Sequence, residues 1–420
     1  MTAKKADAIV WILLVIYIVF YFISRQLFGI PVSTLNVLII MMPILLMLAV
    51  VLANNGGRID IRPSFYHFYV LLFGVFCLAS ALWAREPSFA LSKGELIFEA
   101  FIIMTVVSVC FQKRGEDGVD SLLKAVTWAY YIVVIYELLY YGWNYFIQVM
   151  SNSERFTSEF VNSNILGMCA SFAVIINIYL VVTQKTPVWT LVFAVLAILM
   201  VAASGSRKAL ISIFLGVLFF FFMKSLGSGK SGEVFIRLLL TILAFLIAVY
   251  IAVQLPMFSG VMKRIKDMTV VMQGNTADLS TMHRLEYIKI GVDLFKKNPL
   301  LGVGIDNPRL YAMDAVGREN YLHNNYVEIM AAGGIVGMVI YYSIYVKLLY
   351  SYWKRRDFSD PQYCICATLL LLCLILDYGR VAYYSWDTYI HLFIFFEYEK
   401  KLRNKHRGSE EIEKIIHAIA

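Results

Sequence analysis

Charge is scarce in this chain of 420 residues: 16% of them carry one, where a soluble domain of this size holds about a quarter. That deficit excludes an ordinary water-soluble fold, and a hydrophobic share of 60% shows what takes its place. Cysteine and histidine are few, six of each. Cys77, Cys110, Cys169, Cys364, Cys366 and Cys373 all fall within or beside apolar runs. That is the usage of a small hydrophobe, not a disulfide framework or a zinc pattern. Cys364 and Cys366, two apart, point to different faces of a helix. No second His or Cys stands at ligand spacing from His323, so a structural metal is not expected. The formal charge of +8 does not argue for nucleic acid, because Lys and Arg concentrate in short loops between apolar runs.

What is abundant is long apolar sequence. Crossing a hydrocarbon core of about 30 Å takes roughly 20 helical residues. Runs such as Val234–Leu255 are apolar but for Arg237, Thr241 and Gln254. Backbone in lipid must satisfy its own hydrogen bonds, and a helix does so within one segment. Barrel strands would be about 10 residues long with strict alternation. The chain therefore reads as an all-α, polytopic membrane protein with about 12 transmembrane helices and one large extracytoplasmic loop carrying short helices. The spans are placed at 8–23, 31–53, 65–84, 95–111, 123–149, 164–183, 188–203, 209–223, 234–255, 325–352, 362–378 and 383–398. Lys4 and Lys5 precede the first run, but Ser24-Arg25-Gln26-Leu27-Phe28 offers no small-x-small cleavage site, so that run is read as a retained span.

Loop charges orient the spans. Arg58, Arg62, Lys113, Arg114, Lys185, Lys224, Lys230 and Lys354-Arg355-Arg356 fall on one side, with the basic C-terminal tail. The short loops of the other side hold Arg25, Arg85, Lys93, Arg155, Arg207, Lys208 and Arg380. The bias, with an even span count, puts both termini in the cytoplasm. The chain then has four regions: N-terminal transmembrane helices over 1–255, an extracytoplasmic catalytic loop over 256–324, C-terminal transmembrane helices over 325–398, and a cytoplasmic charged tail over 399–420. Long translocated loops escape the charge rule, so nine basic residues in 256–324 do not oppose this orientation. Within that loop Thr281 is a candidate cap for a helix from about Met282, with Leu285, Ile288, Val292 and Phe295 opposite Lys289, Asp293 and Lys296. Asn298-Pro299 ends it, Leu300–Asn307 reads as a turn with Gly302 and Gly304, and a further loop runs to His323.

Charge at bilayer depth costs roughly 2.5–3.5 kcal/mol on insertion scales, so each such residue is a functional candidate. Glu137, Arg155, Arg207, Arg284, His323, Glu328, Asp377, Arg380 and Asp387 all map to the outer halves of spans or to outer loops. A polar site opening to the outer leaflet accounts for the set; snorkelling and interfacial pairing is the plainer account of any one member. Arg207, in Ser204-Gly205-Ser206-Arg207-Lys208, stands where a helix restarts and backbone N–H groups are free, a good phosphate site. Arg284 lies on the patterned loop helix, where a solvated helix charge is the plainer role. His323, in Leu322-His323-Asn324-Asn325, is a candidate general base or phosphate donor, with an interfacial cap as the alternative.

Three motifs in this order resemble the O-antigen ligase and Wzy-type polysaccharide polymerase superfamily of bacterial envelopes. The first is Arg155-Phe156-Thr157-Ser158-Glu159-Phe160-Val161-Asn162-Ser163-Asn164-Ile165-Leu166-Gly167, similar to a family segment ending in Asn-Pro-Asn, with Ser163 in place of Pro. The second is Ser204-Gly205-Ser206-Arg207. The third is Arg284, then Asn298-Pro299-Leu300-Leu301-Gly302-Val303-Gly304, then His323-Asn324-Asn325-Tyr326, then Gly333-Gly334-Ile335-Val336-Gly337, with Tyr287 where the family often has Trp.

The resemblance covers about 155–340 and implies a lipid-diphosphate-dependent glycosyltransferase of the bacterial inner membrane, acting at its outer face without cofactor or metal. The donor it implies is a glycan on undecaprenyl diphosphate, and the transfer inverts the anomeric centre. Arg207, Arg284 and His323 take the catalytic roles. Arg155, Asn162, Asn164, Gly302, Gly304 and Asn324 take substrate-binding roles, the two glycines by letting backbone approach the glycan. A polymerase joining repeat units of capsule, exopolysaccharide or O-antigen is the favoured reading, with a flippase, a chain-length regulator and membrane lipid as partners and no nucleic acid. A ligase using lipid A core or protein as acceptor is the alternative. A polysaccharide transporter is a second alternative, set back by the absence of a visible repeat and of polar residues near the midplane.

The charge bias makes a first prediction. A cysteine placed at Asn275 should react with a membrane-impermeant thiol reagent in intact cells. Labelling only after lysis would overturn the orientation.

Overall fold

The computed structural model describes residues 3–28, 34–111, 118–152, 161–227 and 279–419, with isolated positions between them (154–156, 158, 232, 236, 239, 240, 243 and 250). The expected span 234–255 falls largely outside the described residues, and residues 256–278 of the long loop, with Asn275, fall wholly outside them.

The described elements are helices, and no strand occurs among the described residues. In chain order they are α1 (Ala3–Phe28), α2 (Thr34–Asn54), α3 (Phe65–Ala79), α4 (Pro87–Phe111), α5 (Gly118–Tyr141), α6 (Trp143–Ser151), α7 (Ser163–Val182), α8 (Leu191–Ser204), α9 (Arg207–Leu226), α10 (Leu279–Lys297), α11 (Pro308–Val316), α12 (Asn325–Lys354), α13 (Pro361–Asp377) and α14 (Trp386–Ile419). Eight segments among the described residues are long and apolar enough to cross a membrane, and two shorter apolar helices, Val188–Ser204 and Pro361–Asp377, accompany them. The protein is an all-α polytopic membrane protein.

The structure corrects several boundaries. The expected span 123–149 is two helices, because Gly142 takes φ +82° and ends α5; α6 then buries Phe146, Val149 and Met150. The loop helix α10 starts at Leu279, which places Thr281 inside it and not at its cap. The stretch expected as loop up to His323 contains α11, bounded by Pro308 in its first turn and by Gly317 at φ +68° just past its end. The tail expected from 399 continues α14 without a break.

The chain divides into two compact units: Met1–Asp60 with Cys110–Thr276 and Asp357–Thr368, and Ile61–Val109 with Ala277–Arg356 and Leu369–Ala420. In the first unit α7, the most buried of the eight long segments, packs against α5, α8 and α9, and α1 packs against α2 and α5. At one end, buried Asp120 accepts from the Tyr179 hydroxyl at 2.6 Å and from Gln362 Nε2 at 2.7 Å, and pairs with Lys185. These bonds tie α5 and α7 to the start of α13.

In the second unit α12 packs on α3, α10 and α14, and it is interrupted. Gly334 lies at φ +61°, ψ −159°, a region open in practice to glycine alone. A regular helix would bond the amides of Ile335 and Val336 to the carbonyls of Ala331 and Ala332. Instead those amides donate to Pro299 O at 2.9 Å and Leu300 O at 3.2 Å. The freed carbonyls accept from Val303 N at 3.0 Å and Gly304 N at 2.9 Å. Two lost helical bonds are thus replaced by four to one turn, and each of these four groups keeps a partner. The contact leaves no room for side chains. A Cβ on Gly302 would overlap the Ala332 carbonyl, and one on Gly334 would overlap the Leu300 carbonyl. The Pro-Leu-Leu-Gly-Val-Gly and Gly-Gly-Ile-Val-Gly motifs are two halves of one joint.

The joint sets the second prediction. Gly302→Ala and Gly334→Ala should each lose about 1–3 kcal/mol to backbone strain and about 1–3 kcal/mol more to overlap. Gly317, at φ +68° with open space around it, should lose only the strain on change to Ala. Thermal unfolding in detergent measures all three; equal shifts would refute the joint.

Candidate functional site

Each unit gathers its share of the motif residues at one end. In the first, the Phe156 amide donates to Ala203 O at 2.9 Å, which anchors Arg155 a few residues upstream of Arg207. Phe156 itself is buried against Tyr141, Tyr145 and Phe146. Gly205, at φ +62°, closes α8, and Arg207 opens α9. Gly167 of α7 lies directly against Ser204 and Ser206, so a Cβ there would overlap the Ser204 hydroxyl. These contacts hold Phe156 and Gly167 against the end of α8 and the Ser-Gly-Ser-Arg turn, and Arg155 and Arg207 are both exposed. Asn162 caps α7, its side-chain oxygen accepting from Asn164 N at 2.9 Å. Buried Glu137 accepts from the Ser158 hydroxyl at 3.3 Å on the same segment.

In the second unit the site is built on the start of α12. Asn324 caps that helix, its side-chain oxygen accepting from Tyr326 N at 3.0 Å and Val327 N at 3.2 Å. Asn325 is fully buried and works in two directions. Its oxygen accepts from the amides of Ala382 at 2.8 Å and Tyr383 at 3.1 Å, while its nitrogen donates to Asp377 at 3.0 Å and to the Tyr342 hydroxyl at 3.1 Å. The chain before α12 is thereby fixed to the loop between α13 and α14. Arg380 in that loop pairs with Asp387 at 2.8 Å, the interfacial pairing that the plainer account of these charges describes.

His323 sits between these anchors at φ +56°, partly buried. Its ring lies 4.3 Å from that of Tyr321 and 5.7 Å from that of Tyr287, centroid to centroid. Burial pushes the Tyr321 phenol up, and the nearby Arg284 guanidinium pulls it back. Arg284, exposed on α10, thus lies within electrostatic range of Tyr321, whose ring lies beside that of His323. The α10 face that packs is offset by about one residue from the one expected: Ile288 packs and Lys289, Asp293 and Lys296 are exposed as expected, but the buried centre lies elsewhere. Tyr287, Gly291 and Leu294 are buried, while Leu285 is 62% exposed. The cause is Gly291: a Cβ there would overlap Val327 and leave 2.6 Å to Leu322, so the helix seats on its smallest residue.

Gly302 and Gly304 take φ +65° and +96°, and both are buried. The close approaches seen for them are to the protein itself, at Ala332 and at Ala84. The turn that carries them meets the loop after α3. The Ile305 amide donates to the Ser80 hydroxyl at 3.1 Å, Trp83 Nε1 to Leu301 O at 3.2 Å, and the Glu86 amide to the Asn307 side chain at 2.7 Å. Asp306 is buried there between Lys93 at 3.6 Å and Arg309 at 3.2 Å. Burial still raises its carboxyl above the usual range, against the pull of both cations.

Sequence reasoning gave no role to Tyr321, Asn325 or Asp306. The doublet Asn324-Asn325 was a usable signal, because one asparagine caps a helix and the second is left to do something else. Tyr321 carried none in a chain with 27 tyrosines.

Residues 192–342 match the family described as O-Antigen ligase. The matched stretch runs from α8 into α12 and holds Arg207, Arg284, the glycine turn, His323 and the break at Gly334, and it supports the superfamily resemblance read from the motifs. The match supports reading the chain as an enzyme. None of the curated proteins compared matches the chain.

The arrangement makes a third prediction. Asn325→Ala strips partners from two amides and a buried carboxylate, at about 1–3 kcal/mol per orphaned group. Asn324→Ala removes a cap worth about 1 kcal/mol. The Asn325 variant should unfold at the lower temperature in detergent; the reverse order would refute this account of the doublet.

Proposed function

We propose that the protein joins lipid-diphosphate-linked oligosaccharide repeat units into a polysaccharide at the outer face of a bacterial inner membrane. A hydroxyl oxygen of the acceptor glycan attacks the anomeric carbon of the donor from the side opposite the carrier. The bond from that carbon to the carrier phosphate breaks, and the diphosphate leaves with the electron pair. Arg207 and Arg284 are assigned to the negative charge that develops on it. His323 takes the acceptor proton or donates to the departing phosphate. Arg155, Asn162, Asn164 and Asn324 stay assigned to the substrate. For the two asparagines whose side-chain oxygens cap helices, only the amide nitrogens are offered to it. Gly302 and Gly304 serve by shaping the turn.

The observation that supports the reading is that Tyr321 lies against His323 and within electrostatic range of Arg284, two motif residues far apart in sequence but in one unit. The glycan on undecaprenyl diphosphate, the membrane orientation, and the partnership with a flippase and a chain-length regulator belong to the same proposal. A ligase that passes the glycan to lipid A core or to protein is favoured by one observation, the description of the matched family. The acceptor separates the two: purified protein given only the lipid-linked glycan should lengthen it if it is a polymerase.

The fourth prediction tests the chemistry. Polymer should grow from a synthetic lipid-diphosphate glycan with a chelator present. His323→Ala should lower turnover by roughly 10²–10⁴, the usual reach of general acid–base catalysis, while His283→Ala keeps it. Arg207→Lys and Arg284→Lys should each lose most activity, because a lysine offers one point charge where the guanidinium binds phosphate through two bonds. A strict need for a divalent metal, full activity in the lysine variants, or passage of the intact lipid-linked glycan across a bilayer with no new glycosidic bond would overturn the proposal.

A further inference from the structure

Glu328 has no role in the scheme above, yet its carboxylate is fully buried one turn into α12. One oxygen, Oε2, accepts from the backbone amide of Leu322 at 2.7 Å. The other, Oε1, is buried without a hydrogen-bond partner among the described residues. Helix capping does not explain the contact. The amides of Tyr326 and Val327 are taken by the Asn324 side chain, and the Glu328 amide by the Asn324 carbonyl at 2.8 Å. The carboxylate instead reaches back past the cap to the residue before His323.

His323 needs such a hold. A left-handed backbone at a non-glycine residue costs about 1–3 kcal/mol and persists only where its surroundings over-determine it. On its C-terminal side the chain is fixed by the Asn324 cap and the Asn325 bonds. On its N-terminal side Leu322 is fully buried against Gly291, which sets its position but not the rotation of its peptide plane. The bond from Glu328 fixes the Tyr321–Leu322 peptide plane, and so holds the chain one peptide before the one that carries the His323 nitrogen.

We propose that Glu328 is a positioning residue for His323, acting through the hydrogen bond its carboxylate accepts from the Leu322 amide. The role rests on the reaction proposed above only in its effect on turnover; the effect on the imidazole is independent of it. What matters is reach and an acceptor oxygen, not negative charge. Glu328→Asp keeps the charge and shortens the arm by one methylene. Glu328→Gln keeps the arm and an acceptor oxygen and removes the charge.

The experiment uses the full chain in detergent micelles, labelled at the histidine imidazole carbons. The His323 signal is assigned by its loss in His323→Ala, and polymer growth from the synthetic lipid-diphosphate glycan is followed in parallel. Glu328→Asp is expected to move the His323 signal and to cut kcat by roughly 10–100-fold, the cost of a misplacement near 1 Å, with KM for the lipid-linked glycan unchanged. Glu328→Gln is expected to leave the signal in place and kcat within a few-fold of the parent. A His323 signal unmoved in Glu328→Asp overturns the proposal, and so does one moved as far in Glu328→Gln. A signal that moves as expected, in a protein whose polymer growth is indifferent to His323→Ala, upholds the positioning and defeats the proposed chemistry of His323.

Discussion

The interruption of α12 at Gly334 can exist only because a turn some thirty residues upstream supplies the missing partners. Backbone in a membrane protein has little water to fall back on, so an unmet amide costs several kcal/mol. Here the carbonyls of Ala331 and Ala332 and the amides of Ile335 and Val336 find theirs on Pro299–Gly304. The exchange brings two backbones to a separation that excludes side chains, and the glycines stand at that contact. The turn before α12 takes its position from this joint. The turn holds Asp306 and Asn307 against the loop after α3, and α10 ends on it at Asn298. His323 stands at the other side of the same helix start, where Asn324 and Asn325 fix the chain on its C-terminal side.

The placement of polar groups obeys the constraint of low dielectric. Buried Asp377 shares Asn325 with two backbone amides, and Arg380 is paired with Asp387. Asp120 in the first unit collects a hydroxyl, a carboxamide and an ammonium. Arg155, Arg207 and Arg284 are by contrast exposed to solvent.

Much of the fold was legible in the sequence because apolar runs of span length admit little besides helices. α7, α9 and α12 begin within a residue or two of where the runs predict. What was missed depends on partners. The kink after Tyr141 needed only Gly142, yet a run that stays aromatic on both sides hides it. α11 carried its own signs, Pro308 at the start and Gly317 past the end, but its modest apolar content hid them. The face of α10 was misread because side-chain periodicity marks large residues, and this helix docks on Gly291. In the site, Arg284 and His323 were legible as motif residues. The bond from Glu328 to Leu322 was not, since nothing in the sequence says which amide a buried carboxylate will choose.

The joint at Gly334 also divides the segment before α12 into a part of fixed length and a part of free length. Between Asn298 and Asn307 the backbone and side-chain bonds depend on the register against α12 or against the loop after α3, so one inserted residue would shift them all. Around Gly317 to Glu319 the chain is exposed, with open space at the glycine. Insertions and deletions that change how the protein meets its substrate can accumulate there without disturbing the register. That permissive address is set by a hydrogen-bond pattern elsewhere in the same segment.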